Sequence, residues 1–457
     1  MARSPKYLPA IILALVLVIS CTPRPKPESP QDQTSTAVPT AIASPEFSLE
    51  LPRPTTEDIL VQEAESLIAL THQRLDGNRL QVGSGAMPSE PLDIQLSGKP
   101  LWVIAAPVQA SSVWVVVLES GQVQAFQIED REVSELTLNV LTLPPGMPPV
   151  LQVIGNRVEL LSPFPDASAY TNPIRLEDGT QAYINAEGQL AVIGVYDTYT
   201  LGVDALPDAR ILSDGSGRLL FLTSPTERYP HGVLGDLLEA TTITLVDTKS
   251  DSHVIRTIQI DPGDVIEGII PIWVDLDGDG EREIIVTQSN ADTGARIVVY
   301  REDGRLFASG EPIGQGFRWR HQLAVGQFIV GGTQEIAVIR TPHIGGVIEL
   351  YGLEGDRLEI KTVLSGFSSH QIGSRNLDSA LAGDFNGDGK IEIVVPDQSQ
   401  TTLAGIQSID DDWQIVWRAP LGGQLSTNLA AVTLSDDRLA LGVGTANDIL
   451  RVWNPNQ

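Results

Sequence analysis

Asp275, Asp277, Asp279 and Glu283 occupy positions one, three, five and nine of a loop within the run Trp273 to Gln288, and the carbonyl of Glu281 falls at position seven. Asp384, Asn386, Asp388 and Glu392 repeat the spacing between Leu381 and Val395, with the Lys390 carbonyl at position seven. Oxygens so spaced wrap a hard cation, and Ca²⁺ takes about six to eight of them at about 2.3–2.6 Å. The glycine after the third ligand, Gly280 or Gly389, permits the turn that aims them inward. Two Ca²⁺ ions per chain are therefore expected. An EF-hand would need an acid at position twelve and a helix on each side. Here position twelve is Val286 or Val395, and the β-branched runs Ile284 to Val286 and Ile393 to Val395 read as buried strands. The alternative is an acidic turn that binds nothing. The full ligand register occurring twice weighs against it.

A second set of residues stands out from an acidic background. Arg318, Trp319, Arg320 and His321, then Arg340 and His343, then His370 and Arg375 gather three of the six histidines and four arginines. Successive turns of an antiparallel meander lie at alternate ends, so all three histidines are expected on the face away from the acidic loops. There they would form a positive well for a carboxylate, phosphate or uronic acid, with Trp319 stacking on a sugar ring. The alternative is a set of separate loop residues paired with nearby acids. No Gly-x-Ser-x-Gly, Walker loop, His-Glu-x-x-His or Cys-x-x-Cys occurs, and the single cysteine excludes thiolate zinc sites.

The acidic loops sit in a repeat. Val325 to Ile336 aligns without a gap against Ala382 to Ile393, but Gln327, Ile329 and Gly331 replace the first three ligands and only Glu335 keeps its acid. The spacing is 52 residues from Glu283 to Glu335 (335 − 283) and 57 from Glu335 to Glu392 (392 − 335), close to a propeller blade. At these residues the sequence resembles the FG-GAP or VCBS repeats of integrin-like β-propellers, with the motif clearest over 265–420. The resemblance implies adhesion, or recognition of protein or carbohydrate. It also implies a rival, since some polysaccharide lyases use calcium-bearing propellers.

The rest of the chain has the composition of an exported protein. Arg3 and Lys6 precede an apolar run, Leu8 to Ile19, too short to span a bilayer and suited to a signal peptide over 1–20. Val18-Ile19-Ser20-Cys21 resembles a bacterial lipobox, which implies lipidation of Cys21 and a membrane-anchored, extracytoplasmic protein. Residues 21–56 are rich in Pro, Ser and Thr and read as a semi-extended tether. A helix over Thr55 to Leu70 is predicted from the Thr55 cap and the Leu60, Ala64, Leu67, Ile68 stripe, with a connector to residue 90.

From 91 to 457 short strands alternate with turns, an all-β pattern. About 365 residues divided by about 50 gives about seven four-stranded blades, with eight also fitting. Residues Pro91 to Leu96 are placed to supply the strand missing from the last blade. The net charge of −28 argues against nucleic acid and against anionic lipid, leaving an acyl anchor to hold the chain to a membrane. The expected function is a calcium-stabilised surface binding module. A lyase-like enzyme and a structural subunit of an envelope assembly are the alternatives.

Overall fold

The computed structural model describes residues 66–455 apart from 195–196, 250–252 and 411. The expected signal peptide, Cys21, the tether and most of the expected helix lie outside the described residues. Within them the regular structure is all β, arranged as successive antiparallel meanders.

The strand Ser111–Leu118 explains how the sheets stack. All eight of its residues are buried, and they divide by alternation between two cores. Trp114, Val116 and Leu118 pack with Ile94, Ala430 and Leu450. Val113, Val115 and Val117 pack with Leu151, Val153 and Leu160. Side chains on a strand point alternately to opposite faces, so this sheet is covered by a neighbour on each side. The last strands of the meanders are less enclosed: Glu132–Leu136 and His253–Gln259 are mostly exposed.

The strands Ile272–Val274, Glu283–Ser289, Arg296–Arg301 and Leu306–Gly310 form one meander, and the first acidic loop joins its first two strands. Arg320–Gly326, Glu335–Arg340, Val347–Glu354 and Arg357–Ser365 form the next. Leu381–Asp384, Glu392–Pro396, Thr402–Ile409 and Asp412–Pro420 form a third, with the second acidic loop in the equivalent turn. Leu92–Gln95 adds antiparallel to Ile449–Trp453, the pairing expected of 91–96.

Two expectations are corrected. Ser66–Leu70 is a strand, not the end of a helix; it pairs in register with Val150–Ile154, and Leu70 is buried against Val150 and Leu161. An open sheet edge supplied by distant residues outweighs the weak helical preference of a few local ones. The stretch 148–206, which at about 50 residues per blade would make one unit, holds two sheets: Val150–Ile154 with Arg157–Leu160 and the incoming Ser66–Leu70, then the meander from Ile174–Arg175 to Thr198–Leu201.

The segment after Ser66–Leu70 runs across the first strands of several meanders in turn. The Leu75 carbonyl accepts from Ser213 N, the Asp76 carbonyl from Trp273 N and the Arg79 carbonyl from Ala382 N, at 2.8, 2.9 and 3.0 Å. Asn78 bonds both backbone groups of Val325 through its side chain. Leu80–Ser84 then pairs parallel with Leu381–Asp384. The connector expected over 77–90 is thus a backbone partner of other sheets, which meets its otherwise orphaned polar groups.

Candidate functional site

Each acidic loop is a tight turn organised by its own carboxylates. In the first, Asp275 accepts from Gly278 N at 2.7 Å and Gly280 N at 3.0 Å, Asp279 from Glu281 N at 2.8 Å, and Glu283 from Leu276 N at 2.7 Å. The second copies this: Asp384 accepts from Gly387 N and Gly389 N, Asp388 from Lys390 N, and Glu392 from Phe385 N. Gly278 and Gly280 take φ of 79° and 92°, the left-handed region that a side chain would strain. Glu281 is exposed and Lys390 half-buried at the seventh positions.

The loops differ in what neutralises them. Asp275, Asp277 and Glu283 each bring a ligand atom within 4.8 Å of the others. The Arg301 guanidinium sits on this group, 2.7 Å from Asp277, 2.8 Å from Asp279 and 2.5 Å from Glu283. In the second loop the contacts are neutral: Gln407 Nε2 donates to Asp388 at 2.8 Å, Ser84 Oγ to Asp384 at 3.1 Å and Trp417 Nε1 to Glu392 at 3.3 Å. Burial, with Asp384 and Asp388 nearby, pushes the Glu392 carboxyl up to about 7. Hard oxygens whose side-chain partners are neutral are the kind a divalent ion such as Ca²⁺ takes, but among the described residues only the first loop brings three acidic ligand atoms within 4.8 Å of one another. Asp384, Asn386, Asp388, Glu392 and the Lys390 carbonyl are the groups that would hold it. The third, ligand-poor copy keeps only the feature common to all three, a ninth-position acid raised by burial. Burial raises the Glu335 carboxyl, so this acid is shifted toward its neutral form.

The structure brings the three histidines together. His370 Nε2 lies 2.7 Å from the Ser374 carbonyl, which can only accept, so Nε2 carries the proton and Nδ1 accepts from His343 Nε2 at 2.7 Å. Trp319 stacks on His321 with centroids 4.8 Å apart and meets His370 edge-on at 5.1 Å. This cluster does not make the expected positive well. His321 and His370 are 2% and 1% exposed, and burial holds His321 well below its usual value, His343 down to about 4 and His370 to about 3. Trp319 is buried and unavailable to a sugar. Arg320 is shared between Glu349 and the carbonyls of Ala295 and Glu311, and Arg375 is held by Asp208 and Asp236. Of the expected cationic residues only Arg318 is exposed.

Arginines gather elsewhere, interleaved with the acids Asp279, Glu281, Glu302 and Asp303. Arg218, Arg256, Arg282, Arg301 and Arg305 line an open groove of about 640 Å³ beside the first acidic loop, together with Phe307. Trp273 Nε1 and Arg218 both donate to Glu302, and the guanidinium groups of Arg218 and Arg282 lie 5.2 and 5.5 Å from the Trp273 ring. The spacing of Arg301 and Arg305 about an Asp-Gly turn was available in the sequence. That Arg218 and Arg256, from another meander, meet them there was not.

No family model matches the chain, and no curated protein matches it. Among solved structures, a chain of "Crystal Structure of Mitotic Checkpoint Complex" is similar at 12% identity and a TM-score of 0.42, over 91% of this chain and 100% of that one.

Proposed function

We propose that the chain is a surface-anchored β-propeller binding module of eight sheet units, stiffened by calcium, that takes an acidic protein or carbohydrate ligand. Alternating residues of one strand belonging to two different cores support the propeller, since radially stacked sheets each need a neighbour on both faces. The extra strands from 66–70 and 92–95 join the second and last units and cover the edges of Val150–Ile154 and Ile449–Trp453. The FG-GAP or VCBS resemblance supports calcium at Asp384 to Glu392 and a role in recognition. The lipobox resemblance supports a lipid anchor at Cys21 and an extracytoplasmic site, which fractionation of cells carrying Cys21→Ser tests.

The observation that carries the ligand class is the groove. Five arginines and four acids, Asp279, Glu281, Glu302 and Asp303, line one opening on a chain of net charge −28, with the Phe307 ring beside them. Guanidinium groups bind carboxylates in forked pairs, and a groove whose arginines outnumber its acids by five to four repels an anion less than the rest of this acidic surface does. Binding of polygalacturonate and of a sulfated glycan to the purified protein tests this. Arg256→Ala with Arg305→Ala should weaken binding about tenfold and flatten its salt dependence. Equal binding by the double variant, or none by wild type to either polyanion, would defeat the reading.

One cluster favours an enzyme as the second reading. His231 Nδ1 meets the buried Glu267 carboxylate, which also accepts from Ser289 Oγ at 2.5 Å, and the His231 ring stacks near Phe317. A carboxylate-oriented imidazole beside a surface is a usable base. Appearance of unsaturated sugar ends on incubation with polygalacturonate would establish a lyase-like activity.

A further inference from the structure

Three turns of the same kind expose one ladder position to comparison. Glu283 pairs across its ladder with Arg301, and Glu335 pairs with Gly352. Continuing the register Ile393 to Ile406 by one residue places Gln407 opposite Glu392. The residue facing the ninth acid is therefore arginine, glycine or glutamine. Only the arginine delivers a cation from within the chain, and it does so to three acids of its loop at once.

The oxygens that Arg301 engages on Asp277, Asp279 and Glu283 belong to residues a divalent ion would need. An oxygen that accepts from the Arg301 guanidinium must give up a charged partner before it closes to about 2.4 Å on Ca²⁺, whereas the side-chain donors of the second loop are neutral and are released without leaving a charge behind. A guanidinium and a divalent ion in one small cage would also repel. The guanidinium carbon lies over the Phe307 ring, 4.1 Å from its centre. Glu283 is fully buried, so eviction of Arg301 would have to be matched by another cation or by a proton on the carboxyl, which burial raises.

We infer that Arg301 is the resident cation of the Asp275 to Glu283 loop, so that this loop folds without metal and only the Asp384 to Glu392 loop takes a divalent ion. The second half of the inference rests on the calcium reading of the loops given above; the first half stands apart from it. One meander is then stiffened by its own side chain and the other by the calcium level outside.

Calcium titration calorimetry and equilibrium dialysis on the chelator-stripped full chain test this. One ion is expected for wild type, two for Arg301→Gln, one for Arg301→Lys and none for Gln407→Arg. Two ions on wild type overturn the inference, as does a folded Arg301→Gln chain that gains none. If Arg301→Gln does not fold, Asp384→Asn with Asp388→Asn decides: no ion is expected there, and an ion retained by that variant occupies the first loop and overturns it. None on wild type with one on Arg301→Gln removes calcium from the second loop and leaves the role of Arg301 standing.

Discussion

The Arg79 guanidinium lies 2.8 Å from the Asp378 carboxylate, 299 positions along the chain, with both side chains buried. Asp378 also accepts from Thr71 Oγ1 at 2.8 Å, so two residues of the crossing segment converge on it. The pair fixes that segment against the entry to the Leu381–Asp384 meander.

Removing one partner leaves the other as an uncompensated buried charge, which typically costs about 3–5 kcal/mol. Asp378→Ala is therefore expected to lower stability by that amount. A fall in the denaturant midpoint with an unchanged slope is the expected result. A midpoint within about 0.5 kcal/mol of wild type would refute the role given to the pair.

Acidification should weaken the fold through its histidines. Burial, opposed by Asp378 and reinforced by Arg79 and Arg210, lowers His72 to about 3; burial lowers His370 to about 3 as well. Both values lie below the unfolded value of about 6.5, so the unfolded chain binds protons first. Stability is full above about pH 7 and is lost as pH falls toward about 3, at up to about 1.4 kcal/mol per pH unit for each histidine. Glu239 and Glu267 act in the opposite sense, because burial raises them above 4.5 and their stabilisation is lost as pH rises from there. Glu392, raised to about 7, opposes the histidines over the same range, while His321 and His343, also lowered by burial, add to them. A melting temperature that falls between about pH 6.5 and 5, with imidazole resonances of the folded chain still neutral at about pH 5, is the expected outcome. A histidine of this set titrating near 6.5 would contradict it.

The incoming strand at 66–70 should matter to the whole. Leu70→Ala opens a cavity beside Val150 and Leu161 and is expected to cost about 2–5 kcal/mol. Leu67, 40% exposed, should tolerate the same change within about 0.5 kcal/mol. Equal costs at the two positions, read from denaturant midpoints, would be inconsistent with this strand.

What the sequence revealed was local. The loop geometry from Asp275 to Glu283 depends on residues within nine positions, and the strands around it on alternation, so both were legible. The meeting of His321, His343 and His370 followed from alternating turn ends, but their depth did not: residue type says nothing about what covers a ring. Arg301 was unreadable as a cation for the first loop, because its place opposite Glu283 depends on the register of the next strand pair. The spacing of Leu67 and Ile68 suits one helical face and an edge strand alike. Only the Val150–Ile154 partner, far along the chain, decides between them.

Asp93 and Arg451 join the first and last strands of one sheet, 358 positions apart. A ribosome adding about 5–20 residues per second needs roughly 20 to 70 s to make that span. Leu92–Gln95 has no partner for all of that time, and neither does the sheet it completes. Folding of this sheet therefore cannot finish before Ile449–Trp453 has been made, and until then the unpaired Leu92–Gln95 strand stays open to threading through a narrow channel or to capture by a chaperone.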